Sequence, residues 1–378
     1  MDRPRILVDR DIPWGIEAFA GLGDVVEFDA AGLRDDPSPL AGADVLACRS
    51  ATRIDASLLA AAPRLRAVAT PVIGLDHVRF ADVREAEARR GHPIAVFAAP
   101  GSTAAGVADW VVAALLEVLP DREPRDLRVG IWGFGCCGRA LAARLDRLGI
   151  PWVAHDPPLE ARTAGAFASA PREALWGCDA VTLHVPLTGP DDSPWPTRGM
   201  VDGAVLQALR DGGDRLLCNT SRGAVIRAAA LRECLASGAG PGIALDVYEG
   251  EPAPDPEFLA RPRIATAHVA GSVLEGRRRA VARVREDVRR LLHLPRTPFP
   301  AVPPGGFDRP VPFVVPASPS LPRVRDGILR AVPLAAWTRD LREACVDVPQ
   351  AACGRGFERV RKGGLRREIR WLGMPRMH

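Results

Sequence analysis

One stretch constrains the fold of this chain more than any other: DLRVGIWGFGCCGRALAARLDRLGIPWVAHDPP, residues 126–158. The apolar run VGIW reads as a buried strand, and Gly133-Phe134-Gly135-Cys136-Cys137-Gly138 follows it as a G-x-G-x-x-G turn. RALAARLDRLG then has the spacing of an amphipathic helix, and PWVAH reads as a second strand. The glycines have separate tasks in such a unit. Gly133 permits the tight turn, Gly135 lets backbone approach a pyrophosphate, and Gly138 lets helix and strand pack closely. The helix N-terminus offers free N–H groups and a favourable dipole to the anion. Asp156 ends the second strand, 18 residues beyond Gly138. A carboxylate there accepts hydrogen bonds from ribose hydroxyls and repels a 2′-phosphate, so the unit predicts NAD rather than NADP.

The surrounding pattern extends this into an α/β architecture. Before the glycine turn, residues 4–9, 43–50, 64–74 and 92–100 read as four strands, with helical spacing between them, as in IDASLLAAA (54–62). Residues 101–120 read as one long helix, with Ser102 as its N-cap and Pro120 at its end. After the turn, strands are expected at 179–187, 215–221, 242–249 and 263–271, and a strong helix at 272–294. The expected fold class is therefore α/β, with two Rossmann-like or flavodoxin-like domains built on parallel sheets. Residues 1–100, completed by 273–294, form the expected substrate-binding domain, and 101–272 the NAD-binding domain with its linking helix at 101–120. A Pro-rich linker follows at 295–322, where VPFVV reads as a short strand, and a helical C-terminal segment at 323–378 lacks a convincing last strand.

Composition narrows the functional classes. At 378 residues with 47% apolar and 25% charged residues, the chain is an ordinary globular protein of two or three domains. No run of about 18 apolar residues is present, and charges interrupt the opening MDRPRILVDRD, so neither a membrane span nor a signal peptide is expected. The expected location is the cytoplasm. The net charge of +4 comes from 50 basic and 46 acidic residues, of which only Lys362 is a lysine, and it is spread along the chain. That argues against nucleic acid as a partner. The eight cysteines form no C-x-x-C pair, so no metal site is expected.

Three polar residues fall at or just past expected strand ends, where open α/β sheets place their ligands: Arg222, Glu251 and His268. Together they suit oxidation of a hydroxy acid. A histidine takes the hydroxyl proton near neutral pH, a carboxylate on its other nitrogen sets the tautomer, and an arginine pairs with the substrate carboxylate and polarises the forming carbonyl. Asp246 lies near the same strand end and could hold the nicotinamide carboxamide.

On these residues the chain resembles the D-2-hydroxyacid dehydrogenases. ILVDRDIPW, CRSAT, GLDHV, AAPGS, VGIWGFGCCGRALAARLDRLGI, HDPP, LHVPLT, SRGAVI, LDVYEGEP and AHVAGSVLEG carry the resemblance across residues 5–295. It implies two α/β domains with the active site between them, a phosphorylated 2-hydroxy acid as substrate, and a homodimer completed by the C-terminal segment. By position it implies catalytic roles for Arg222, Glu251 and His268. It also implies a cofactor site that includes Val185, Thr220, Ser221 and Gly271 beside Asp156, Asp246 and the glycine turn. Arg49, Ser50, Val72, Gly74 and Ser272 are the implied substrate positions. Val72 and Ser272 stand where the branch carrying these motifs tends to have threonine and tyrosine. Two alternatives stay open: the same chemistry on another 2-hydroxy acid, and a nonenzymatic NAD-sensing regulator.

Overall fold

The computed structural model describes residues 3–120, 122–210, 215–238, 240–299, 314–315 and 321–371. The chain divides into two compact units, Met1–Thr103 with Glu275–Asp308, and Ala104–Leu274 with Arg309–His378. Most of the Pro-rich stretch expected at 295–322 lies outside the described residues. Among the described residues, no helix is long and apolar enough to cross a membrane.

The first unit holds five parallel strands in the spatial order Asp24–Phe28, Arg5–Asp9, Val45–Ala47, Ala67–Ala69, Ala95–Phe97. In chain order this is 2-1-3-4-5, the doubly wound order of flavodoxin-like domains. The strand Asp24–Phe28 corrects the four-strand expectation. It is an edge strand in which Asp24 and Glu27 are exposed and only Phe28 is buried, and its acidic residues hid it from a search for buried apolar runs. The helix Leu274–Leu291 returns to cover this sheet: Ala280, Val281, Val284 and Val288 pack with Ile6, Val8 and Phe19. Its buried Arg285 donates through Nε to Ala18 O at 2.7 Å.

The second unit holds six parallel strands in the order Ile264–Ala265, Gly242–Leu245, Leu216–Asn219, Ala180–Leu183, Val129–Trp132, Trp152–His155. The chain-order reversal falls beside Val129–Trp132, so the carboxyl end of that strand is the switch point where such sheets bind ligands. One face is covered by the helices Ala104–Val118 and Cys136–Leu148, the other by Gly203–Arg210 and Ala228–Ser237. The first of these starts at Ala104, so Ser102 precedes it by two residues and is not its N-cap.

The C-terminal segment packs on this second unit. Helices Leu321–Ala331, Leu334–Cys345 and Gln350–Gly363 contribute to its two cores, and Thr338 accepts the Ala265 N–H at 3.1 Å, which covers the exposed edge of the sheet. Val314–Val315, within VPFVV, pairs in parallel with Arg370–Trp371, a last strand that was not expected. That strand docks on a buried ion pair: Arg144 Nε to Asp109 Oδ1 at 2.6 Å, with side chains 4% and 1% exposed. Trp371 Nε1 donates to the same Asp109 oxygen at 3.1 Å, and the Ile369 N–H to the other at 3.3 Å.

Candidate active site

At the switch point Val129–Trp132 enters the glycine turn. Gly133 has φ +96°, and a β-carbon there would lie 2.8 Å from the His184 carbonyl carbon and 3.0 Å from Val185 Cγ1. Only glycine combines that φ with that approach, so the turn brings Val185 against the cradle. A β-carbon on Gly135 would meet nothing within 4 Å, and Gly135 is the N-cap of Cys136–Leu148 with no side chain capping it. The start of this helix thus has no side-chain cap and open space where a side chain of residue 135 would stand, as a dinucleotide pyrophosphate requires. Asp156 follows Trp152–His155. Its carboxylate accepts the Phe134 N–H at 2.7 Å and the Leu159 N–H at 2.8 Å, tying the glycine turn to the start of Pro157–Thr163. Thr220 Oγ1 lies 3.4 Å from His184 Nδ1, and Ser221 is fixed by Asn219, whose Oδ1 accepts both the Ser221 N–H and its hydroxyl.

The three residues expected to do chemistry lie at neighbouring strand ends of this unit. His268 Nδ1 is 2.8 Å from Glu251 Oε2. The other carboxylate oxygen of Glu251 accepts the Tyr248 N–H at 2.7 Å. Burial pushes the Glu251 carboxyl up, but the charge and hydrogen bond of His268 and the Tyr248 N–H outweigh it, and the group sits below the usual carboxylate range. His268 itself has φ +55°, a left-handed backbone uncommon for this residue type. Among the described residues its Nε2 has no hydrogen-bond partner. Arg222 sits half-buried after Leu216–Asn219, with its carbonyl held by Asn219 Nδ2 at 2.9 Å and its Nη1 donating to Ser221 O. The next residue, Gly223, explains how this loop reaches Glu251. A β-carbon on Gly223 would lie 2.0 Å from the Tyr248 carbonyl carbon. Two loops from adjacent strands therefore touch backbone to backbone.

Asp246, expected at the cofactor's carboxamide, is turned beneath the His268 loop and is 1% exposed. Its carboxylate accepts the Thr266 hydroxyl at 2.5 Å, the Val269 N–H at 2.8 Å and the Ala270 N–H at 2.9 Å. Trp110 Nε1 donates to Thr266 Oγ1 behind it. Burial raises the Asp246 carboxyl to about 6 against these hydrogen bonds and the charge of His268. Gly271 and the buried Ser272 follow in the same loop. Asn219, Gly223, Thr266 and Trp110 were missed because their importance lies in contacts between distant segments.

In the first unit, Arg49 and Ser50 follow Val45–Ala47 at the carboxyl end of the sheet, next to the end of Arg5–Asp9. The Arg49 N–H lies 3.4 Å from Asp9 Oδ2, and its guanidinium 3.7 Å from Asp11. Val72 and Gly74 lie half-buried in the loop after the neighbouring strand Ala67–Ala69. Five positions implied for substrate thus divide four to this sheet and one, Ser272, to the second unit.

Comparison with known proteins places the chain in a family. Residues 107–270 match the family described as D-isomer specific 2-hydroxyacid dehydrogenase, NAD binding domain. The chain belongs to the D-2-hydroxyacid dehydrogenases, and it is an NAD-dependent oxidoreductase of CH–OH groups. Among its relatives are proteins named erythronate-4-phosphate dehydrogenase. The one from Pectobacterium carotovorum subsp. carotovorum (strain PC1) is 40% identical over 287 residues, covering 75% of this chain and 72% of the relative. That from Shigella flexneri serotype 5b (strain 8401) is 38% identical over 286 residues, with the same coverages. A solved NADPH-dependent glyoxylate/hydroxypyruvate reductase from Sinorhizobium meliloti is 26% identical with a TM-score of 0.60, covering 76% of this chain and 93% of that one.

Proposed function

We propose that this protein oxidises 4-phospho-D-erythronate to 2-oxo-3-hydroxy-4-phosphobutanoate, a step of pyridoxal phosphate synthesis, with His268 as the group that takes the proton. The observation that carries the chemistry is the 2.8 Å contact between His268 Nδ1 and Glu251, at the same end of the sheet as a helix N-terminus with no side-chain cap. Bound NAD would supply the acceptor for the hydride leaving C2. His268 Nε2 takes the hydroxyl proton, and Glu251 holds the imidazole with its proton on Nδ1 and stabilises the imidazolium that forms. Arg222 pairs with the substrate carboxylate and polarises the forming carbonyl. The cradle Gly133–Gly138, with Asp156, Val185, Thr220, Ser221 and Gly271, holds the cofactor in this reading, while Asp246 supports the His268 loop from beneath. Arg49, Ser50, Val72 and Gly74 of the first unit and Ser272 of the second are the positions the resemblance implies for the substrate, with Arg49 suited to a phosphate as a guanidinium on a sheet's carboxyl end. The choice of substrate rests on similarity to the erythronate-4-phosphate dehydrogenases.

The test is initial-rate NADH formation by purified protein at saturating NAD with 4-phospho-D-erythronate, beside 3-phosphoglycerate and D-lactate. A strong preference for the first supports the reading, and turnover of only another acid overturns the substrate. A homodimer is part of the same proposal, and sedimentation at twice the chain mass of 40.4 kDa checks it.

A further inference from the structure

The loop that carries His268 is held from below by the C-terminal segment of the same unit. Arg366, 7% exposed, makes a parallel bridge with Val273: its N–H donates to Ser272 O at 3.0 Å, and its carbonyl accepts the Leu274 N–H at 2.9 Å. Its Nη2 donates to Ala270 O at 3.1 Å and to Gly106 O at 2.7 Å. Ala270 is thus gripped on both sides, by Asp246 at its N–H and by Arg366 at its carbonyl. Two residues earlier, Gly364 approaches so closely that a β-carbon there would lie 2.4 Å from Val269 Cγ1. The preceding helix Gln350–Gly363 supports the loop of Glu251 in the same way. Gln350 Nε2 donates to Ala253 O at 3.2 Å, and Tyr248 meets Phe357 edge-on with ring centroids 6.0 Å apart.

Packing alone does not call for a guanidinium at this position. Arg366 is buried with Nε and Nη1 lacking partners among the described residues. Burial disfavours its charge, and the carboxylates of Asp109 and Asp246 offset that only in part. A buried unsatisfied donor needs a compensating reason. Its two made hydrogen bonds both fix backbone carbonyls, one on the His268 loop and one at the start of Ala104–Val118. His268 has a left-handed φ, which persists only when its surroundings hold it.

We propose that Arg366 is a positioning residue for proton transfer: by fixing Ala270 and Ser272 from below, it holds the His268 imidazole in line with Glu251. The proposal rests on the acid–base reading of His268 given above. It needs no particular substrate, so the kinetic test runs on whichever hydroxy acid turns over.

The test compares Arg366→Met with Arg366→Lys, and His268→Asn serves as control. Misplacing a reacting group by about 1 Å costs on the order of 100-fold in rate. Arg366→Met is therefore expected to lower kcat about 10- to 100-fold, with KM for NAD and for the acid changed by less than about threefold. Arg366→Lys, which can still donate to both carbonyls, restores most of kcat. The hydrogen-bonded Nδ1 proton of His268 gives a second readout that needs no substrate: a downfield proton resonance, absent from His268→Asn, that broadens or moves in Arg366→Met and returns in Arg366→Lys. A lowered melting temperature with kcat and the resonance unchanged below it overturns the proposal and leaves a structural arginine. If Arg366→Met does not fold, Gly364→Ala presses on Val269 directly. It should lower kcat, and Gly364→Ala with Val269→Ala should recover part of it, whereas normal kcat in Gly364→Ala overturns the proposal. His268→Asn with undiminished turnover removes the acid–base reading and this proposal with it. An inactive His268→Asn beside a fully active Arg366→Met removes this proposal alone.

Discussion

Replacing Glu251 by glutamine tests the proposed chemistry most directly, because it keeps the shape and removes one acceptor. The carboxylate serves two donors, the Tyr248 N–H at 2.7 Å and His268 Nδ1–H at 2.8 Å. A glutamine has one acceptor oxygen. If that oxygen stays on Tyr248, the amide NH₂ faces Nδ1 and selects the imidazole tautomer protonated on Nε2, which cannot take the hydroxyl proton. If it turns to His268, the Tyr248 N–H loses its acceptor. The charge that stabilises the imidazolium is gone in either case. A hydrogen bond to a charged group contributes about 1.5–3 kcal/mol. Two unit charges about 4 Å apart attract by about 4 kcal/mol at the effective dielectric of partly buried sites. The side chains of His268 and Glu251 are 35% and 19% exposed, so solvent screens part of that attraction. A loss of about 2–4 kcal/mol in transition-state stabilisation corresponds to a fall of roughly 30- to 1000-fold in kcat. The assay is initial-rate NADH formation at saturating NAD and substrate, with NAD affinity measured separately by quenching of protein fluorescence. A kcat within about threefold of wild type, with NAD affinity and folding intact, would refute the assignment of the pair as the proton-handling group.

Asp156→Ala should weaken NAD binding and narrow the preference over NADP. It also removes the cap of Pro157–Thr163, costing about 1 kcal/mol in stability, and parallel cofactor titrations and melting curves separate the two effects. Asp109→Ala strips the buried Arg144 of its partner and leaves the Trp371 and Ile369 N–H groups without an acceptor, so denaturant unfolding should show a loss of about 3–5 kcal/mol. Asp246 supplies a pH signature. Its carboxyl is raised to about 6 in the fold, so the folded state holds a proton that the unfolded chain has released. Its contribution to stability is therefore greatest below pH 4, falls as pH rises to about 6, and is flat above. Against Asp246→Asn the wild-type protein should lose about 3 kcal/mol across that window in urea unfolding, and parallel curves for the two would contradict the burial argument.

Much of this architecture is local and is legible in the amino-acid sequence alone. The glycine turn, the helix after it and Asp156 obey rules that act over a few tens of residues, and the polar residues at strand ends fall where parallel sheets put them. What escaped depends on segments far apart in the chain. Asp24–Phe28 is a strand because Arg5–Asp9 offers an edge, and its own composition is too acidic to announce it. Gly223 matters through Tyr248, and Asp246 through a loop that begins twenty residues later. The segment after residue 320 has helical spacing, but spacing says nothing of the surface a helix will cover. Its grip on residues 269–274 could be learned only from the folded chain.

The seat of the last strand has a consequence for how the protein is made. Trp371 reaches Asp109 across 262 residues of chain. At synthesis rates of about 5–20 residues per second, roughly 13 to 50 seconds separate the emergence of the two. Arg144, only 35 residues downstream, arrives first and neutralises Asp109 within seconds. The NAD-binding sheet can thus assemble around a paired charge while the rest of the chain is still being made. The backbone brace under His268 closes only after residue 366 has been added, well behind His268 itself.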